Sequence, residues 1–222
     1  MSSMKKITMS VIVTAFFVMM TASTFAQEQI TATESVLTPK YGIKVGLNFA
    51  NLYVDNVQNE YMKLGGFIGF FAKLPIAKGL SFQPEILYTN KGSKLTYGNF
   101  VQGSGEYRFN LNYIEVPLLF VINLTSNFSV SAGGYFAYLA SANVTDMRAD
   151  GTVNGVTNLN ENDFNRSDYG LVGGASIDIQ RFTIGARYNY GLQDIGKTGS
   201  IAGDLTQNSK NSVASIFIGF AF

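Results

Sequence analysis

Eight stretches of the sequence alternate apolar and polar residues with a period of two, and the connections between them alternate long, short, long, short, long, short, long. The stretches cover about 41–50, 62–73, 80–90, 107–123, 128–140, 167–179, 181–192 and 212–222. Each has roughly the ten residues that a tilted strand needs to cross a bilayer. An even-numbered closed barrel with both chain ends on one side of a membrane requires this sorting of loops, because short turns then fall on the side of the ends and long loops on the other. A soluble sandwich has no reason to sort its loops. The rings agree with the membrane. Phe82, Phe128 and Phe182 stand at the short-turn end of three strands, and Tyr88, Tyr138 and Tyr190 stand at the long-loop end of the same strands. Each pair shares the parity of the apolar face, which makes two aromatic girdles on the outside. A lipocalin-like soluble barrel would turn such rings inward. The predicted fold is therefore all-β, an eight-stranded antiparallel up-and-down transmembrane β-barrel over 41–222.

Two segments precede it. Lys5 and Lys6 form a basic start, Ile7 to Met20 is apolar but short for a span, and Thr24-Phe25-Ala26 offers small residues before a cut. Residues 1–26 are expected to be a signal peptide, and 27–40 a short periplasmic leader. The full chain of 222 residues carries a formal charge of +1, so removing two lysines leaves −1 on the remaining 222 − 26 = 196 residues. No bulk charge points to nucleic acid. The chain has no Cys and no His. That removes disulfides, thiolate metal sites, the commonest general base and the commonest transition-metal ligand. Glycine is frequent and proline rare (23 and 4), as suits a tightly paired sheet.

Asn112-Tyr113-Ile114-Glu115-Val116-Pro117-Leu118-Leu119-Phe120-Val121-Ile122 reads as a strand with a carboxylate and a proline in its middle. Proline lacks the ladder donor and is expected at an edge, an end or a bulge. Apolar parity also breaks here, from Phe109, Leu111 and Tyr113 to Ile114, Val116 and Leu118. That predicts a bulge near Tyr113 or an upper part of the strand projecting beyond the membrane. The carboxylate needs a cation in a confined interior. Inward parity places Lys44, Glu85, Glu115 and Arg187 there, with Gln83, Asn189 and Lys63 beside them, and predicts one lumen ion cluster. Glu85 and Glu115 as an acid/base pair is the competing reading. Asp146 to Thr157 has a faint calcium-loop spacing, but Arg148 takes a ligand position and Thr157 stands where a bidentate Glu is needed, so a solvated loop is expected. No metal, cofactor or catalytic residue is predicted. The last strand ends on Ile216, Ile218, Phe220 and Phe222 of one parity, and Phe222 with Phe220 resembles the signal read by the outer-membrane assembly machinery.

Phe82-Gln83-Pro84-Glu85-Ile86-Leu87-Tyr88-Thr89-Asn90-Lys91-Gly92, the Asn112 to Leu119 motif and the opening Gly42-Ile43-Lys44-Val45-Gly46-Leu47-Asn48-Phe49 resemble the small outer-membrane β-barrel proteins of Bacteroidetes, often called PorT-like. The resemblance runs from about Tyr41 to Phe222. It implies an outer-membrane barrel of about eight strands and carries over no catalytic residues; some members support protein secretion. The small barrel enzymes of outer membranes use Ser–His or Asp and His, which this chain lacks as a set. Expected, then, is an integral outer-membrane protein that is not an enzyme. It would have a side-chain-filled lumen and a structural or binding role through its long loops. A narrow pore or a part of a secretion apparatus is the alternative. Its partners would be outer-membrane lipid, the assembly machinery and an extracellular or secretion-system protein.

Overall fold

The computed structural model describes residues 38–53, 62–92, 94–99, 103–148, 152–158, 165–195 and 209–222. The expected signal peptide and most of the expected leader lie outside the described residues. Lys40, expected in the leader, opens the first strand, where it pairs with Lys73.

Ten strands are described: β1 (Lys40–Tyr53), β2 (Lys63–Ala77), β3 (Leu80–Lys91), β4 (Lys94–Asn99), β5 (Gly103–Asn123), β6 (Phe128–Arg148), β7 (Val153–Asn158), β8 (Ser167–Ile179), β9 (Phe182–Asp194) and β10 (Lys210–Ala221). Eight of them close a ring in the order β1, β2, β3, β5, β6, β8, β9, β10 and back to β1, every neighbour antiparallel. Closure runs from Gly42–Ala221 to Tyr53–Lys210, so the first and last strands leave no free edge along that seam. The remaining two, β4 and β7, are short hairpin partners of the far ends of β5 and β6. They correct the expectation of two long loops. Gly103 to Glu106 and Ser141 to Arg148 continue the ring strands past the eight-strand belt, and β4 and β7 pair there. These stretches are rich in Asn, Asp, Gly and Ser, which reads as loop, but ladder pairing overrides that composition.

Residue order within the strands explains the two faces. Val45, Leu47, Leu64, Ile68, Phe70, Leu118, Phe120, Leu171, Ile177, Ile184, Ile216 and Ile218 are all exposed on the outer face. Alternate positions between them point inward and are buried or half-buried. β2 continues past the expected break at Leu74: Pro75 lies opposite Ser81, and a register irregularity between Pro75 and Ala77 absorbs the missing donor. The connection is then the two-residue turn Lys78-Gly79, whose Gly79 has φ 81. Gln180 takes φ 57 in the tight turn from β8 to β9.

The parity break near Tyr113 resolves differently from the expectation. Asn112 opposes Ser141 and Tyr113 opposes Leu139, so the extra residue is Ala140 in β6. β5 keeps its alternation: Leu111, Tyr113, Glu115, Pro117, Leu119 and Val121 all face inward and are buried. The apolar residues on odd positions are therefore a lumen lining, and the bulge sits in the neighbouring strand. Pro117 is neither at an edge nor at a bulge. The β3–β5 ladder instead lapses between the pairs Pro84–Leu118 and Leu87–Glu115, where Pro117 has no N–H to give.

Candidate functional site in the barrel lumen

Inward side chains form two separate ion clusters. Nearer the short turns, Glu85 on β3 is held between Lys44 on β1 and Arg187 on β9, all three at most 7% exposed. Lys44 Nζ donates to Glu85 Oε1, and Gln83 Nε2 donates to the same oxygen at 2.7 Å. Arg187 Nη2 donates to Glu85 Oε2 at 2.8 Å. Rings complete the enclosure. The Phe217 ring centre lies 4.4 Å from Lys44 Nζ and 5.0 Å from Arg187 Cζ, and Phe67 stands 5.5 Å from the guanidinium. A ring face next to a desolvated cation recovers part of the hydration it has lost. Glycines make room for those rings. A Cβ at Gly46 would come within 2.6 Å of Phe67 Cζ, and one at Gly185 within 2.5 Å of Phe217 Cζ. Any other residue there would push the rings off the guanidinium.

Glu115 does not join this group. The register sets it opposite Leu87, two residues farther along β3 than Glu85, which is about 7 Å at the rise of a strand. Its cation is Lys91, with Nζ 2.6 Å from Glu115 Oε2 and 3.4 Å from Asp168 Oδ2. Asn189 Nδ2 donates to Glu115 Oε1 at 2.9 Å, and Asn211 Nδ2 to Asp168 Oδ2 at 2.8 Å. The Tyr135 hydroxyl donates to Asp168 at 3.3 Å. Tyr135 and Tyr113 present ring centres 4.5 and 5.2 Å from Lys91 Nζ. The single predicted cluster is thus two layers. The carboxylate–carboxylate pairing required by an acid/base reading does not form, since each carboxylate lies against a cation of its own.

Lys91 and Asp168 escaped the sequence reading. Lys91 falls one residue past the expected third strand, and Asp168 is only the second residue of the expected sixth. Parity was the available signal: Lys91 shares it with Glu85 and Thr89, and Asp168 with Gly170 and Val172. Lys63 is buried nearby, donating to Asn90 Oδ1 and, at 3.2 Å, to the carbonyl of Lys91.

Between the two layers, Asn48 bridges strands: its Nδ2 donates to Thr89 Oγ1 at 2.8 Å and its Oδ1 accepts from Ser215 Oγ at 2.8 Å. The void left there has room for about one water molecule. Toward the long loops, Leu111, Tyr113, Leu139, Ala142 and Ile195 belong to one buried apolar cluster. Leu119 and Val121 of the same cluster lie toward the short turns, so hydrocarbon lines one wall of the lumen alongside the stacked ion layers.

On the outer face, Tyr88, Tyr138 and Tyr190 are 50%, 42% and 38% exposed at the long-loop end. At the other end Phe82 stacks on Phe120 with ring centres 5.6 Å apart, and Phe182 on Phe220 at 5.2 Å. Phe128 is exposed beside the second short turn, and Phe222 is the most exposed ring among the described residues, 6.4 Å from Phe220. The faint calcium-loop residues lie across the β6–β7 hairpin. There Arg148 Nη2 donates to Asn154 Oδ1 at 3.1 Å, and Asn154 Nδ2 donates to Asp146 Oδ2 at 3.0 Å; residues 149–151 lie outside the described residues. Among the described residues no group of three or more His, Cys, Asp or Glu is placed to hold a metal.

A family model for the outer membrane protein beta-barrel domain matches residues 25–196 of the 222. No curated protein matches. Similar solved structures include Ail, the attachment invasion locus protein of Yersinia pestis (14% identity, 82% of this chain and 98% of that one, TM-score 0.45). Neisserial surface protein A is another (14%, 82% and 97%, TM-score 0.47), as is the outer membrane protein OprG from Pseudomonas aeruginosa (11%, 82% and 91%, TM-score 0.34).

Proposed function

Since this chain belongs to the outer membrane protein beta-barrel domain family and resides in the outer membrane, we propose that it serves the envelope as a structural or binding element and not as a pore. The observation that supports this most is the filled lumen. Glu85 and Glu115 are each locked to cations from other strands, and a buried apolar cluster fills the lumen beside them. An eight-stranded ring is just wide enough for such side chains, so paired charges stand where water and ions would pass. In this reading residues 1–26 are removed as a signal peptide, the short turns face the periplasm, and the long loops with β4 and β7 face outward. The outer apolar belt takes lipid. Phe220 and Phe222 are offered to the assembly machinery, and the loops offer the surface for an extracellular or secretion-system protein. The motifs around Glu85 and Glu115 support a place among the PorT-like barrels of Bacteroidetes. The reading includes no catalytic step.

Recordings of the purified protein in planar bilayers test it. No steady conductance is expected. A stable open channel in the unmodified protein would overturn the reading in favour of transport.

A further inference from the structure

The short-turn end of the lumen holds a small recess open to the outside solvent. Five cationic side chains line it: Lys40, Lys44, Lys73, Arg181 and Arg187. Asp178 is the carboxylate in the lining and is paired with Lys73 at 3.1 Å. Behind the wall, Glu85 is shared by Lys44 and Arg187. Five positive charges therefore face two negative ones, a surplus of three. A second observation comes from inside. Arg187 is 7% exposed and gives Nη2 to Glu85, while its Nη1 is buried with no hydrogen-bond partner in the protein. A guanidinium donor left unsatisfied in a dry wall is costly, and an acceptor oxygen relieves that cost. Ser131 adds a hydroxyl to the same lining, while the Thr183 hydroxyl there is given to Asp178.

We infer that this recess is a binding site for a small phosphate-type oxyanion. The anion enters from the periplasmic side, is attracted by Lys40 and Arg181 at the rim, and is held against the side chain of Arg187, which lines the recess. The surplus charge makes the recess selective for sign, and the planar fork of Arg187 suits an oxygen ligand better than a halide. The inference rests on the outer-membrane placement and is independent of whether the lumen conducts.

Two sources offer this chemistry, free phosphate and the headgroup of an anionic phospholipid. Calorimetry with inorganic phosphate, on the full-length mature barrel in discs of phosphatidylcholine, is the test. Saturable one-to-one binding is expected. Arg187→Gln should weaken it by at least about tenfold, as loss of a charged hydrogen bond does. That variant removes a buried charge, so the rim pair Lys40→Gln with Arg181→Gln is measured beside it; an exposed rim should cost about threefold without touching the fold. Repeating the titration in discs containing phosphatidylglycerol separates the sources. Loss of phosphate binding there assigns the site to a lipid headgroup, and unchanged binding assigns it to the free anion. Absence of saturable binding by the unmodified protein in phosphatidylcholine overturns the inference, and so does binding that neither variant weakens.

Discussion

Two ion clusters fill one lumen on opposite charge balances. Around Glu85, two cations share one carboxylate; around Lys91, two carboxylates share one cation. Both are wrapped by rings, phenylalanines in the first case and tyrosines in the second. The choice of ring follows the sign. A phenyl face accommodates a surplus cation and asks for no partner of its own. A tyrosine adds a hydroxyl that can donate to a surplus carboxylate, as Tyr135 does to Asp168. The amides Asn189 and Asn211 extend the same supply of donors on the acidic side. The difference also bears on how each layer fails. A stranded carboxylate takes up a proton when the medium supplies one, but a stranded guanidinium keeps its charge at any ordinary pH.

Removing the shared ion sharpens that contrast. Glu85→Leu leaves Lys44 and Arg187 face to face with no counterion, and it should cost about 5 kcal/mol, the upper end for breaking a buried pair. Urea titrations of the barrel in lipid vesicles would measure it, and the loss should persist at acidic pH. A cost below about 1 kcal/mol would mean that the cations reach water and that this layer is not dry.

Lys91→Met is the mirror experiment. It strands Glu115 and Asp168, and a loss of about 3 kcal/mol is expected near neutral pH. A cost below about 1 kcal/mol would mean that water reaches the two carboxylates and that this layer, too, is not dry.

The same two layers show what a sequence discloses. Lys44, Gln83, Glu85 and Arg187 lie well inside strands of strict alternation, so parity alone sends them inward and their meeting follows from closure of the ring. Lys91 and Asp168 sit beside polar stretches rich in Gly, Ser and Asn, where local composition speaks for loop and only the pairing of distant strands extends the sheet. Glu115 was legible as an inward carboxylate, but its partner was not, because the choice between Arg187 and Lys91 depends on the stagger of β3 against β5, and no local pattern encodes that stagger. The bulge has a similar cause. Parity within β5 signals that something changes near Tyr113, yet the extra residue is Ala140 across the ladder. Strand existence, the two faces and the sorting of loops are local and were readable. Register, and therefore which ions meet, is a property of the closed ring.

A third pair sets the lower end of the scale. Lys73 and Asp178 meet at the short-turn rim, where their side chains keep 14% and 23% of their exposure and Asp178 also accepts from Thr183 Oγ1 at 2.6 Å. Water competes for both ions there, so the pair gains little beyond what solvent already provides. Lys73→Gln should then cost only about 0.5 kcal/mol, and that small loss should fade further as salt is raised, since screening reaches the rim but not the interior. Set beside Glu85→Leu and Lys91→Met, it tests whether burial, and not the mere presence of opposite charges, gives the lumen layers their weight. A loss from Lys73→Gln as large as that from Lys91→Met, and insensitive to salt, would show that the rim is as dry as the interior and would remove the distinction between the recess and the layers above it.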